Sequence, residues 1–507
     1  MLKPLTQRLG GYVCRTCRAS LLVPKRRHYA SSATPEIYDV VTVGGGPVGL
    51  ALLAALKASP KTKHLRTALI EFQDLAKQQS WSMASDHFSN RASSLTPASV
   101  EFLEQSGTWS HIEQERIQPY NAMQVWDASN DAVMRFDWRA EAQRYNAPPR
   151  VVATMTENAN LTRALLNRIH ELNAGDSLMV NTKVGSVEMG ENEPDGADLS
   201  SWPTLSLEPS APKIAARLLV GADGFNSPVR AFAGISSHGW DYHRHGVVAT
   251  LKVANPMLLE ESGTSVAYQR FLPQLGGPIA ILPLPNGHAS LVWSTTPANA
   301  SFLKSIEPAA FVAMVNAAVR CSETDLVYMT GLGTQSTQQI VSEYNWRNEH
   351  TKPTDTETLV PEVLEVQENS VASFPLRFRQ ATTLTGPRIA LVGDAAHTIH
   401  PLAGQGLNLG LADARWLAET IAYAVEHGMD LGDSFALERY SSDRFGKGLL
   451  MGGSVDALNW IYQLGSGDGM LSSLFSNARG LGMKAFSSNI AEQTGLKGAI
   501  MRVAEGA

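Results

Sequence analysis

Residues 40–43 (Val40-Val41-Thr42-Val43) form an unbroken apolar run closed by glycines, the pattern of a strand buried on both faces. Apolar positions resume at helical spacing up to about Ala58, and a second apolar run, 67–71, ends in an acid, Glu71. Together these predict a β-α-β unit of about 33 residues. Further on, 161–171 has helical periodicity, 186–207 reads as strands broken by a polar turn at 190–201, and 218–221 is another short buried strand. From about Trp240 to Phe378 the pattern becomes alternating runs (246–253, 265–271, 278–284, 290–294) separated by turn residues, with one helical stretch at 309–319. Residues 345–368, acidic and rich in Thr and Pro, read as an exposed excursion. A buried strand at 388–392 and a long helix at 406–427 restore the α/β pattern, and a helix-like tail with Gly and Ser interruptions occupies 449–507. No internal repeat is apparent. The chain reads as α/β, with one nucleotide-binding domain assembled from three separated pieces and a β-rich domain inserted between them.

Charge changes the picture at the N-terminus. The 507 residues are 44% hydrophobic and 18% charged, a globular composition long enough for two or three domains. The formal charge of −6 hides an asymmetry: residues 1–35 hold Lys3, Arg8, Arg15, Arg18, Lys25, Arg26 and Arg27, and no acid. Without those seven, 35 basic residues face 48 acidic ones, a net of about −13, which disfavours nucleic acid as a ligand. The leader is Arg-rich, acid-free and hydroxyl-bearing, the composition of a mitochondrial transit peptide; the alternative is a disordered basic tail. Arg27-His28-Tyr29 before Ala30-Ser31-Ser32 resembles a matrix-processing site, and the apolar stretch at 19–24 is too short and broken for a secretory signal. Cys14 and Cys17 lie inside the leader with no partner pair, so Cys321 alone remains and no disulfide framework is expected. No run of 18 purely apolar residues occurs; 40–56 comes closest and contains Gly44, Gly45, Gly46, Pro47 and Gly49.

Three motifs carry the candidate chemistry. Gly44-Gly45-Gly46-Pro47-Val48-Gly49 is a G-x-G-x-x-G between a strand and a helix. Gly44 permits the tight turn, Gly46 lets the backbone approach a pyrophosphate, and Gly49 lets the helix pack on the strand. The diphosphate would sit at the helix N-terminus, where free N–H groups favour an anion, and Glu71 is placed to accept ribose hydroxyls. A glycine-rich turn with no ligand would leave Glu71 unexplained. The second motif, Gly221-Ala222-Asp223-Gly224-Phe225-Asn226-Ser227-Pro228-Val229-Arg230, delivers an acid to a turn with an arginine shortly after; alone, it is equally an ordinary Asp-Gly turn. The third runs from Gly393-Asp394-Ala395-Ala396-His397 to Pro401-Leu402-Ala403-Gly404-Gln405-Gly406-Leu407-Asn408. Asp394 at a strand end suits a ribityl hydroxyl, and the turn at Gly404 and Gly406 offers N–H groups to a flavin edge that gains negative charge on reduction. The histidines His243, His245, His288, His397 and His400 lack metal-ligand spacing; His397 reads as a buried structural partner of the Asp394 turn.

In this order and at these distances, the motifs resemble the FAD-dependent aromatic hydroxylases of the p-hydroxybenzoate hydroxylase-like class over about residues 36–450. The resemblance implies a Rossmann-type FAD-binding domain (36–115, 155–238 and 380–448), an inserted β-sheet substrate domain (116–154 and 239–379) and a helical C-terminal region (449–507). It implies that Glu71 meets the adenosine ribose, that Asp223 and Arg230 lie near the pyrophosphate, and that Asp394 meets the ribityl chain. Pro401, Leu407 and Asn408 would border the isoalloxazine, and Arg91, in Asn90-Arg91-Ala92-Ser93-Ser94-Leu95-Thr96-Pro97, matches the early arginine that approaches the cofactor. The segments Pro119-Tyr120-Asn121-Ala122-Met123-Gln124-Val125-Trp126-Asp127, Gln269-Arg270-Phe271-Leu272-Pro273, Leu291-Val292-Trp293-Ser294-Thr295 and Ser373-Phe374-Pro375-Leu376 are similar to the ubiquinone-biosynthesis hydroxylases, and the leader to their mitochondrial branch. Tyr440-x-x-x-Arg444 fits that pattern, but Gly448 stands where relatives often carry Asn.

That resemblance implies a monooxygenase in which a flavin C4a-hydroperoxide attacks ring C5 of a polyprenylated 4-hydroxybenzoate-type phenol, with dioxygen as co-substrate. The protein would orient the phenol and exclude water, without a catalytic triad or metal. Arg270 is the candidate substrate- or loop-positioning residue, expected to face the flavin cavity; the alternative is a surface salt bridge. Implied surroundings are the matrix face of the inner membrane, with peripheral contact, and other ubiquinone-biosynthesis proteins; apolar tail residues such as Trp460, Ile461, Met470 and Leu471 could dock on the membrane or on partner proteins, the alternative being that they pack against the body of the enzyme. Ferredoxin and its reductase are the implied electron source, against NADPH in ordinary class members. Rival readings are another NADPH-dependent FAD aromatic hydroxylase, a flavin-linked reductase, and a non-enzymatic FAD-stabilised scaffold.

Overall fold

The computed structural model describes residues 35–446 apart from 130–131, 140–141, 143–150, 193–196, 210–211, 255–257, 260–263, 335–336, 352–359 and 400–404. The leader (residue 35 excepted) and the 449–507 tail lie outside the described residues.

The apolar run at 40–43 forms the C-terminal half of a strand, Glu36–Val43, at the centre of an eight-stranded sheet. Its parallel neighbours are Thr67–Ile70 on one side and Ile214–Gly221 on the other, with Ile389–Leu391 beyond, parallel to 214–221. Val40, Val41, Leu69, Leu218, Leu219 and Val220 are all almost wholly buried. Burying each such side chain is worth about 1.5–3 kcal/mol, which is why uninterrupted apolar runs make interior parallel strands. Helix Pro47–Ala58 covers one face, with Gly49, Leu50, Ala51, Leu52, Leu53, Ala54 and Leu56 buried, and the 22-residue helix Gln405–Glu426 packs against it. The chain leaves the central strand towards 67–70 and returns on its other side at 214–221. The crevice outside the carboxyl ends of these strands is therefore a topological switch point.

A second, ten-stranded sheet is mostly antiparallel. Its long strand Ser237–Val253 pairs with His288–Thr295 and Ala372–Ala381, and Thr264–Leu272 pairs with Gly277–Leu284 and with Ala122–Asp127. Each alternating run read from the sequence falls inside one of these strands. Helices Pro297–Ser305, Pro308–Arg320, Glu323–Gly331 and Thr337–His350 build a core with one face of this sheet. A three-stranded sheet (Ala92–Leu95, Ala153–Glu157, Gln118–Tyr120) joins the two halves through Tyr120, Ala153 and Met155 packed with Ala267 and Leu284.

The 345–368 segment differs from its reading as an exposed excursion. Its start belongs to helix Thr337–His350 and its end supplies strand Val363–Val366, paired with 251–253. Arg347, near the start of the segment, is buried with Glu343 and Asp325 on its guanidinium, and Ile340 and Tyr344 are buried beside it, which seats the helix end on the core.

Candidate functional site

All three motifs meet at the switch point. Gly44 has φ +110°, and a Cβ there would lie 2.2 Å from the Ala222 carbonyl oxygen, so the first turn rests directly on the second. A Cβ on Gly49 would lie 2.1 Å from the Gly44 oxygen. Gly46 differs: its φ is ordinary and a Cβ would meet nothing within 4 Å among the described residues. That glycine faces open space at the N-terminus of helix Pro47–Ala58, whose first N–H groups have no intrahelical partner.

Glu71 follows its strand into the site and is 8% exposed. Its Oε2 accepts from Gly45 N–H (2.6 Å) and Oε1 from Gln73 N–H (2.8 Å), so the acid holds the glycine loop and retains lone pairs for a further donor. Asp223 Oδ2 accepts from Val229 N–H (3.1 Å), whereas Oδ1 is shielded from water without a hydrogen-bond partner. Burial pushes the Asp223 carboxyl up, against hydrogen bonding by Ser227 and Val229. The buried Arg230 guanidinium donates to the carbonyls of Phe225 and Ala395 (both 2.7 Å), tying the second motif to the third.

Asp394 projects from the third turn. Its surface is accessible, yet desolvation pushes its carboxyl up, opposed by His397. Beside it, Gly393, Gly410 and Val48 pack closely: a Cβ on Gly410 would come within 2.6 Å of Val48 Cγ2. The first turn of the long helix, with Gly406 and Leu407 half-buried, is thereby held against the glycine-loop helix. Pro401 and Gly404 lie outside the described residues.

Asn408 is more committed than the sequence implied. Its Oδ1 accepts from Thr96 N–H (3.0 Å) and Ser99 Oγ (2.8 Å), and its Nδ2 donates to the Ser94 carbonyl (2.8 Å). Its side chain thus locks the long helix onto strand Ala92–Leu95 and the helix start at Thr96. Arg91, next to that strand, is exposed; Asn158 N–H donates to its carbonyl (2.9 Å) and its own N–H donates to Ser89 Oγ (3.2 Å).

Arg270 needs correction. It lies on Thr264–Leu272 in phase with Val266, Tyr268 and Leu272, the side chains packed on the helical layer, and is 5% exposed. Its guanidinium donates to the carbonyls of Ala318 (3.0 Å) and Cys321 (2.9 Å) at the C-terminal end of helix Pro308–Arg320. Its side chain is turned onto the helical layer and is no surface ion pair; it donates to carbonyls at a helix C-terminus, where a cation is favoured. The opposite sheet face presents Phe271, Val125, Met123, Met134 and Phe136 as an apolar cluster.

His397 is buried, as read, but its partner is Asp413, a residue the sequence reading passed over: Nε2 lies 2.6 Å from Asp413 Oδ2. The signal was a lone acid in phase with the buried Leu409, Leu417 and Thr420 of one helix. Among the described residues, no group of three or more His, Cys, Asp or Glu side chains could hold a metal ion, and no helix is long and apolar enough to cross a membrane.

Residues 37–446 match the family model described as an FAD binding domain. Over 477 residues the chain is 35% identical to the mitochondrial ubiquinone biosynthesis monooxygenase COQ6 of Schizosaccharomyces pombe, covering 93% of each chain. The Saccharomyces cerevisiae COQ6 is 36% identical over 447 residues, covering 85% of this chain and 88% of the relative. The chain belongs to the COQ6 family of mitochondrial ubiquinone biosynthesis monooxygenases. The resemblance carried by the three motifs is therefore sound, and this COQ6-family chain is an FAD-dependent monooxygenase. The p-nitrophenol 4-monooxygenase PnpA of Pseudomonas putida shares the fold (TM-score 0.60, 17% identity, 92% of this chain and 98% of that one). So does a variant of Klebsiella pneumoniae HpxO complexed with FAD (TM-score 0.56, 15% identity, 88% and 94%).

Proposed function

We propose that FAD lies across the switch-point crevice, and that the enzyme places a hydroxyl on ring C5 of a polyprenylated 4-hydroxybenzoate-type phenol in ubiquinone biosynthesis. The observation that carries the cofactor reading is the open space over Gly46, beside an unpartnered Asp223 Oδ1 and the desolvated Asp394. These groups fit the cofactor: Gly46 admits a pyrophosphate, Glu71 has lone pairs for a ribose, and Asp394 suits the ribityl chain. Arg91 adds a cation on a fixed backbone, and Arg230 holds the second and third turns together rather than spending its donors on the cofactor.

Bound FAD supplies the oxygen activation. The chain's own contribution is to hold the ring and keep water away. The apolar cluster around Phe271 and Val125 suits the phenol ring, and Trp240, stacked on Phe378 at 4.6 Å, suits the prenyl tail. Trp240 is 52% exposed, while Phe378 packs with Tyr242, Leu376, Ile399 and Leu409, so apolar surface runs from solvent towards the third turn. Its origin in a membrane-dissolved substrate supports peripheral work on the matrix face of the inner membrane, beside other enzymes of the route.

The likeness to mitochondrial COQ6 proteins supports ferredoxin and its reductase as electron source. Anaerobic reduction of the holoprotein, followed by flavin absorbance, tests this. Bleaching by reduced ferredoxin but not by NADPH is expected; rapid bleaching by NADPH would overturn it.

A further inference from the structure

Asp413 is completely buried beneath the third turn. It accepts from Gly393 N–H (3.0 Å), shares a hydrogen bond with His397 Nε2 (2.6 Å), and accepts from Arg444 Nε (2.8 Å). Gly393 and His397 bracket Asp394, so one carboxylate grips both ends of the turn that presents it. Arg444 belongs to the helical segment 434–446 and also donates to the Leu409 carbonyl (3.2 Å). One helical turn earlier, Tyr440 donates to the carbonyl of Leu391, the last residue of the strand entering the same turn (2.6 Å). His397 is 4% exposed; burial disfavours its charged form, but Asp413 outweighs burial and its pKa is raised. Apolar side chains of similar volume would hold a helix on a sheet at least as firmly as this charged group, so packing alone does not account for it.

We propose that Asp413, Arg444 and Tyr440 form a positioning unit for the cofactor turn, so that segment 434–446 sets how firmly FAD is held. This rests on the assignment of the Asp394 turn to FAD. No member of the unit needs to touch the cofactor; the effect passes through Gly393, His397 and Leu391.

FAD release from purified holoprotein, followed as flavin fluorescence after dilution, tests it together with far-UV circular dichroism. Arg444→Lys keeps the charge but loses the two-point grip, and Tyr440→Phe removes one hydroxyl. With CD unchanged, release should quicken about tenfold and about threefold, the scale of one hydrogen bond to a charged and to a neutral group. Arg347→Lys, the equivalent change in the helical layer, should lower thermal stability and leave release unchanged. Asp394→Asn checks the underlying assignment and should quicken release. If Asp394→Asn quickens release but Arg444→Lys and Tyr440→Phe match wild type, the proposal falls and the assignment stands. If Asp394→Asn has no effect, the assignment falls and takes the proposal with it. Equal quickening by Arg347→Lys would reduce the effect to general destabilisation and overturn the proposal. Should Arg444→Lys fail to fold, Tyr440→Phe decides alone.

Discussion

At the carboxyl edge of the parallel sheet, buried polar groups are only partly spent on the protein. Asp223 satisfies Val229 N–H with one oxygen and leaves the other unpartnered, and Glu71 holds the glycine loop with lone pairs to spare. Under the second sheet the same kinds of group are turned inward. Arg270 caps helix carbonyls, Asn316 exchanges hydrogen bonds with both the N–H and carbonyl of Val363, and Glu323 accepts from Gln274 N–H. Both halves bury polar atoms, and both leave some without a hydrogen bond, Trp293 Nε1 and Tyr344 Oη among them under the second sheet, so neither burial nor an unpaired atom by itself marks a site. What marks it is polar capacity left over, at a place where main chain approaches open space.

Substitutions can break this contrast. The largest effect is expected from Gly49→Ala, whose Cβ would meet the Gly44 oxygen at 2.1 Å. Backbone must move, costing about 3 kcal/mol or more, and FAD should be lost along with thermal stability. Arg270→Met should cost about 3 kcal/mol by removing the buried guanidinium from which the Ala318 and Cys321 carbonyls accept. Its effect should be confined to melting temperature, with FAD bound per folded molecule unchanged; loss of FAD or a changed KM at normal stability would return Arg270 to the site.

The smallest effect concerns pH. Partial burial alone would raise the Asp430 pKa, but hydrogen bonds from Arg388 and Arg217 lower it from 3.8 to about 2. A depressed folded pKa adds stability that is complete above the ordinary value and fades as pH falls towards about 2. The pair is over a third exposed at Asp430, so after screening the gain is about 1 kcal/mol. Asp430→Asn should therefore melt a few degrees lower at pH 7, and the difference should vanish in acid; a constant offset at every pH would contradict the ion-pair account.

The meeting of the three motifs at the switch point was legible because turn chemistry is local. Gly44, Glu71, Asp223 and Asp394 each follow the end of a strand within three residues, Gly49 lies in the first turn of the next helix, and strand ends are visible as the ends of apolar runs. Arg270 was misplaced because a family likeness outweighed the alternation, although Val266, Tyr268, Arg270 and Leu272 share one phase and already put it indoors. Asp413 escaped because its partners, Gly393, His397 and Arg444, lie 16 to 31 residues away and no local pattern joins them. The helices at 323–331 and 337–350 gave little apolar periodicity, because each buries only three residues (Glu323, Leu326 and Met329; Ile340, Tyr344 and Arg347), one of them charged.

Gly46→Ala tests the central claim most directly, because its added methyl meets nothing within 4 Å among the described residues and its backbone conformation suits any residue. Titration of the apoprotein with FAD, alongside its melting temperature, is the measurement. The account predicts an apoprotein that melts like wild type and binds FAD at least about tenfold more weakly, since the methyl fills the space kept for the pyrophosphate. Wild-type affinity in a normally folded Gly46→Ala protein would place the cofactor elsewhere and contradict the account.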